Sequence, residues 1–153
     1  MKSKTLIVIP ARMQATRLPG KPLADIHGLP MIVHVWRRAV AARCGDVIVA
    51  TDSGEIADAV ARAGGEAILT RADHASGSDR VYEAITKKDP TGSAGIIVNL
   101  QGDLPTLDSA LVAASVAPLL ESDADIATLA AEIREPEERT NPNVVKAVGT
   151  PIG

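Results

Sequence analysis

The sequence predicts an α/β fold, a mostly parallel sheet with helices on both faces, and three observations carry that expectation. Short β-branched runs recur along the chain, apolar throughout, as strands covered on both sides are. Between them lie stretches with apolar residues at helical spacing. Polar loops separate the two kinds of segment, and neither internal repeats nor low-complexity tracts interrupt the alternation.

The first strand is expected over residues 6–9, followed by a long polar loop over 11–29. Pro30 can open a helix at its first position, and Ile32, Val35, Trp36, Ala39 and Val40 form its apolar stripe. Gly45 ends that helix, and residues 46–50, around Val47, Ile48 and Val49, read as a second buried strand. Asp52 with Glu55 reads as an N-cap pair; Ile56 and Val60 then face inward until Gly64 stops the helix. Residues 66–69 form a third, shorter strand, and residues 78–87 place Val81, Tyr82 and Ile85 at helical spacing. A fourth strand covers 95–100, and a further helix over 107–120 is kinked or ended early by Pro118. Residues 125–133 and 143–148 read as later strands.

Composition narrows the function classes. A chain of 153 residues, 46% hydrophobic and 23% charged, fits one soluble domain spanning 1–153. One Trp, one Tyr and no Phe leave the core to Val, Ile, Leu and Ala, and give stacked single strands almost no platform. A formal charge of −3 lacks the basic footprint of a nucleic-acid partner. The single Cys44 fits a reducing compartment. The apolar stretch 5–10 is too short for a signal segment or a span, so the expectation is a cytoplasmic protein with no membrane partner.

In open parallel sheets ligands sit beyond the carboxyl ends of the strands, so chemistry is sought in the loops after strands one, three and four. The first gathers Arg12, Arg17 and Lys21 with no carboxylate between residues 10 and 22, a charge pattern suited to a polyphosphate. It is not a P-loop, since Pro22 stands where Ser or Thr is needed, and no G-x-G-x-x-G occurs in the chain. A solvated basic loop is the competing reading. After strand four, Gln101-Gly102-Asp103 places a carboxylate where it can hold Mg²⁺ against phosphate oxygens; a turn or capping Asp is the alternative. The loop over 70–80 is dense in donors and acceptors and precedes a helix, so its Ser and Gly amides can read a base or ribose, or simply cap the helix. His27, His34 and His74 share no metal-ligand spacing, and His34 falls on the polar side of its helix as a solvated residue. Cys44 lacks a His partner in the pattern, no G-x-S-x-G elbow is present, and the acidic run 132–138 reads as a solvated loop.

These loops together resemble a known family. Pro10-Ala11-Arg12 with Thr16-Arg17-Leu18-Pro19-Gly20-Lys21-Pro22-Leu23 is similar to the N-terminal signature of the CTP-dependent sugar activators. Thr70-Arg71-Ala72-Asp73-His74, Ser76-Gly77, Gln101-Gly102-Asp103 and Asn141-Pro142-Asn143-Val144-Val145-Lys146 resemble, more narrowly, the 3-deoxy-manno-octulosonate (Kdo) cytidylyltransferases. Leu104, where an acidic residue is common, and Ser78-Asp79-Arg80, in place of Gly-Thr-Glu-Arg, depart from the pattern.

The resemblance implies a Rossmann-like nucleotidyltransferase fold that activates an acidic sugar with CTP and Mg²⁺, for lipopolysaccharide synthesis. It implies catalytic roles for Arg12 and Lys21, with Arg17 beside the phosphates. Ala11, Arg71, Asp73, Ser76, Gly77 and Arg80 would surround cytosine and ribose, Gln101 would sit between nucleotide and sugar, and Asp103 would bind the metal. It also implies homodimers in the full-length family, and a continuation past Gly153 that supplies most sugar contacts, a second metal-binding carboxylate and the dimer surface. A nucleotidyltransferase of the same fold with another acceptor, and a nucleotide-binding fragment without turnover, stay open beside it.

Overall fold

The computed structural model describes residues 4–14 and 19–149. Leu6, Ile7, Val8 and Ile9 offer solvent no polar face, and the strand that contains them, β1 (Lys4–Ala11), runs through the interior of the sheet. A short antiparallel hairpin follows, β2 (Asp25–Ile26) and β3 (Leu29–Pro30), turned by His27 and Gly28 with φ of 51° and 84°. Two successive left-handed residues make this the turn type that matches strand twist, and Gly28 takes its φ without strain.

Helix α1 (Met31–Ala41) leads to β4 (Asp46–Thr51), α2 (Gly54–Arg62) to β5 (Glu66–Leu69), and α3 (Gly77–Lys88) to β6 (Ala94–Asn99). Helix α4 (Ser109–Glu121) follows. The main sheet is four-stranded, in the order β5-β4-β1-β6, and every pairing in it is parallel. Alternation along β1 divides the core. Ile7 and Ile9 pack with Ile32, Val35, Val49, Ile56, Val60 and Val112 under α1, α2 and α4. Leu6 and Val8 pack with Ile48, Ala50, Val81 and Ala84 under α3. Each fully buried Ile or Val contributes roughly 1.5–3 kcal/mol. Helices therefore cover both faces, as the sequence predicts.

The structure corrects several local expectations. The stretch 11–29 is not one uninterrupted loop, since it holds a 3-10 turn at Lys21–Leu23 and most of the hairpin. Pro30 is the cap of α1 and not its first residue. Ser53, not Asp52, caps α2 by accepting from the Ile56 amide, which frees Asp52 for another partner. Tyr82 is 74% exposed because α3 buries only the narrow stripe containing Val81 and Ala84. His34 is half-buried, with Nε2 2.8 Å from the Ile26 carbonyl oxygen. Pro118 lies inside α4 without ending it; its exposed position leaves the carbonyl it cannot bond open to water. Residues 125–133 and 143–148 form no ladder, and Ile126 and Val145 are 87% and 96% exposed. Strand-like composition describes a side chain that suits a pleated, half-buried surface, and it creates no partner strand.

Candidate functional site

Strand order reverses at β1. Two crossovers step outward through β4 to β5, and the third returns to place β6 on the other side of β1. The carboxyl ends of β1 and β6 are therefore adjacent at the reversal, where open parallel sheets bind ligands. Gly102 lets them meet: a Cβ there would lie 2.6 Å from the Pro10 carbonyl oxygen. Only a residue without a side chain allows the loop after β6 to pass so close to the end of β1.

Pro10, Ala11 and Arg12 from β1 and its loop, Gln101 from the loop after β6, and residues 74–77 with Arg80 line one cleft of about 210 Å³. Arg12 and Gln101 are exposed at it, whereas Arg80 is 3% exposed. The cleft thus unites Ala11, Arg12, Ser76, Gly77, Arg80 and Gln101 of the residues singled out from sequence.

Lys21 and Asp103 meet beside it. The Gly20 amide donates to the Met13 carbonyl at 3.0 Å, which draws the far end of the first loop back to β1 and delivers Lys21 at the start of its 3-10 turn. Lys21 Nζ donates to Asp103 Oδ2 at 3.0 Å. Arg17 lies outside the described residues. Arg71 and Asp73 are not cleft-lining. They form a two-pronged pair at 2.8 and 2.9 Å, exposed on the outer side of the loop, where the hydrogen bond from Arg71 holds the Asp73 carboxyl below its ordinary range.

The buried Arg80 guanidinium ties the ends of β4 and β5 together. It donates to Thr70 Oγ1 at 2.5 Å, to the Arg71 carbonyl at 3.1 Å and to Asp52 Oδ2 at 3.3 Å. Ser76 caps α3 through a reciprocal box. Its hydroxyl accepts from the Asp79 amide at 3.1 Å, and Asp79 Oδ2 accepts from the Ser76 amide at 3.1 Å. The first turn of α3 opens on the cleft at Gly77, and a helix N-terminus favours negative charge.

Two residues stand out that sequence reasoning did not assign. His74 lines the cleft and bonds through Nε2 to Glu83 Oε2, one turn and a half into α3. Glu83 also accepts from Lys87 Nζ at 2.6 Å and from the Arg71 amide at 3.1 Å. The Lys87 ammonium first, then the Arg71 amide and His74, hold its carboxyl down at about 2. The spacing of Glu83 and Lys87 on one helix was visible in the sequence, but the link back to residues 71 and 74 depends on the turn of the loop.

Among the described residues no three His, Cys, Asp or Glu side chains gather into a metal cage. A magnesium ion needs none, since it is commonly held by one or two carboxylates together with water and substrate phosphates. Asp103, an exposed hard oxygen donor in the loop that supplies Gln101 to the cleft, fits that mode. Arg12, Lys21, Arg80 and the start of α3 supply positive charge or N–H donors, so the arrangement can hold an anionic ligand at the sheet's reversal point.

Comparison with known proteins agrees with this geometry. Residues 6–151 match the family model described as cytidylyltransferase. A 3-deoxy-manno-octulosonate cytidylyltransferase of Nitrobacter winogradskyi is 63% identical over 99% of this chain and 60% of its own length. One from Paramagnetospirillum magneticum is 64% identical over 94% of this chain and 58% of its own. The chain thus spans about three-fifths of the length of these relatives. Among solved structures, a CMP:2-keto-3-deoxy-manno-octonic acid synthetase complexed with CTP aligns with TM-score 0.74 at 46% identity, over 80% of this chain and 49% of that one. A cytidylyltransferase from Leptospira borgpetersenii aligns with TM-score 0.65 at 26% identity, over 80% and 51%. The topology, the placement of the loops and these matches together show that the chain belongs to the cytidylyltransferase family.

Proposed function

We propose that the full-length protein transfers CMP from CTP to 3-deoxy-manno-octulosonate, releasing pyrophosphate. The observation that carries this reading is the convergence of Arg12, Ser76, Gly77, Arg80 and Gln101 on one cleft at the sheet's reversal point, with Lys21 and Asp103 beside it. Relatives named for this reaction and a CTP-bound neighbour support the choice of nucleotide and sugar.

In this reading CTP lies over the loop after β1. Arg12, Lys21 and Arg17 neutralise its phosphates, while Ala11, Ser76, Gly77 and Arg80, with Arg71 and Asp73 on the outer side of the loop, serve cytosine and ribose. Gln101 stands between nucleotide and sugar, and the sugar's anomeric hydroxyl attacks the α-phosphorus without a covalent enzyme intermediate. A bound Mg²⁺ at Asp103 would offset charge on the phosphates. What these side chains contribute is positioning and charge neutralisation, and in related phosphoryl transfers a single cation is worth roughly 10³-fold or more. The reading also places the protein in the cytoplasm as a homodimer serving lipopolysaccharide synthesis. No described helix is long and apolar enough to cross a membrane.

The test is a titration of the full chain with CTP and magnesium beside GTP and UTP, followed by turnover with 3-deoxy-manno-octulosonate. Selective CTP binding and release of pyrophosphate support the proposal. Preference for GTP or UTP would point to another nucleotidyltransferase, and binding without turnover to a nucleotide-binding function alone.

A further inference from the structure

We propose that Glu83 is a positioning residue for the candidate nucleotide cleft, fixing residues 71–76 from behind through His74. This rests on the reading of the cleft as a nucleotide site. Glu83 lies on α3, on the far side of the loop from the cleft, and its side chain is only 17% exposed. It is bonded to that segment at two points, the Arg71 amide at 3.1 Å and His74 Nε2. His74 is 12% exposed and lines the cleft beside Ala75, Ser76 and Gly77.

The chemistry of the donors makes the arrangement specific to a carboxylate. An ionised carboxylate has acceptor sites for several donors at once, and Glu83 uses Oε2 for the loop while Oε1 takes Lys87 Nζ at 2.6 Å. With Glu83 ionised, a neutral His74 must carry its proton on Nε2 to donate, which fixes the tautomer and leaves Nδ1 without a hydrogen. A Gln at 83 keeps the shape but offers a single acceptor oxygen, so its amide nitrogen would face one of the three donors. The segment is otherwise anchored at Arg80, through Thr70 and the Arg71 carbonyl, and at the Ser76 cap. Between those anchors the Glu83–His74 contact is the one that reaches a cleft-lining side chain, among the described residues.

The role predicts a particular kinetic signature. A loosened segment must be reordered whenever nucleotide binds, so the cost falls on affinity and not on the transfer step. In the full chain, Glu83→Ala is expected to raise the CTP dissociation constant and KM roughly tenfold, with kcat at saturating CTP within about twofold of wild type. Glu83→Gln should fall between the two. His74→Ala combined with Glu83→Ala should be little worse than Glu83→Ala alone, because the two residues act as one unit. Hydrogen exchange at the Arg71 amide of the unliganded protein should speed up in Glu83→Ala and match wild type in His74→Ala.

Unchanged CTP affinity in Glu83→Ala would overturn the proposal. So would a fall in kcat that tracks a lower melting temperature at constant KM, since that is the mark of a lost active fraction. If wild-type protein binds no CTP, the nucleotide reading fails by itself. Arg71 exchange then still decides whether Glu83 fixes the segment: unchanged exchange in Glu83→Ala overturns it.

Discussion

Lys21 Nζ and Asp103 Oδ2 lie 3.0 Å apart, joining the loop after β1 to the loop after β6 across 82 positions of sequence. Both side chains are substantially exposed, at 37% and 54%. Exposed pairs of this kind contribute only about 0.5 kcal/mol to stability. The pair is therefore weak as a structural brace, although it brings a cation and a carboxylate to one point beside the cleft.

Lys21→Ala and Asp103→Ala are accordingly expected to melt within a degree or two of wild type and to lose at least roughly 10³-fold in transfer rate. The exchanged variant Lys21→Asp with Asp103→Lys separates the two roles. It can rebuild the ion pair, yet it puts each charge in the other's place, so it should fold normally and remain inactive. Near-normal turnover in any of the three would remove these residues from the chemistry.

Gly102 makes a structural prediction with a functional readout. A methyl group at 102 would sit 2.6 Å from the Pro10 carbonyl oxygen, and backbone rather than a flexible side chain would have to give way. Gly102→Ala should lower stability to urea by about 1–3 kcal/mol through overpacking. It should also weaken ligand binding, because the displacement separates Arg12 from Gln101. Unchanged stability together with unchanged affinity would show that the two loops do not need to approach so closely.

Arg80 and Asp52 form the most buried ion pair of the site, with side chains 3% and 15% exposed. Asp52 Oδ1 is buried without a hydrogen-bond partner among the described residues, so Arg80 is the charge that makes the carboxylate tolerable. Arg80→Met is expected to cost about 3 kcal/mol in chemical denaturation, since it strands a buried anion. Adding Asp52→Leu should recover much of that loss. If the double variant is no more stable than Arg80→Met, the hydrogen bonds to Thr70 and Arg71 are what matter, and not the charge.

The four sheet strands were legible in the sequence because each is apolar on both faces, as at 6–9 and 46–50, and a covered parallel strand has little other way to be written. The cationic loop and Gln101-Gly102-Asp103 were legible as candidates because strand ends and charge are local features. What escaped depends on partners distant in sequence. Asp52 looked like a cap until Arg80 claimed it from 28 positions away, and Glu83 was not singled out at all, because its partners Arg71 and His74 lie 12 and 9 positions back. Residues 125–133 and 143–148 had the composition of strands, but a ladder is a property of two segments.

Acid should act on the shoulders of the site before its core. Two carboxylates are held down to about 2. One is Glu83, held by Lys87, Arg71 and His74; the other is Asp89, by the Ala94 and Ser93 amides and the Ser93 hydroxyl. Their ordinary values are 4.5 and 3.8, so the native state keeps both ionised where the unfolded chain binds a proton. Stability from these groups is therefore complete above about pH 5 and drains away as pH falls from there toward about 2. Melting temperature measured across that window should decline in wild type. Glu83→Gln and Asp89→Asn should start lower at neutral pH and decline less steeply, because each has already lost one of the protons' targets. Asp89 closes the turn between α3 and β6, at 2.7 Å from the Ala94 amide and 2.9 Å from that of Ser93, so its variant should loosen the entry to β6 and leave the cleft segment 71–76 as protected as in wild type. A variant whose acid slope equals that of wild type would mean that its carboxylate is equally easy to protonate folded or unfolded.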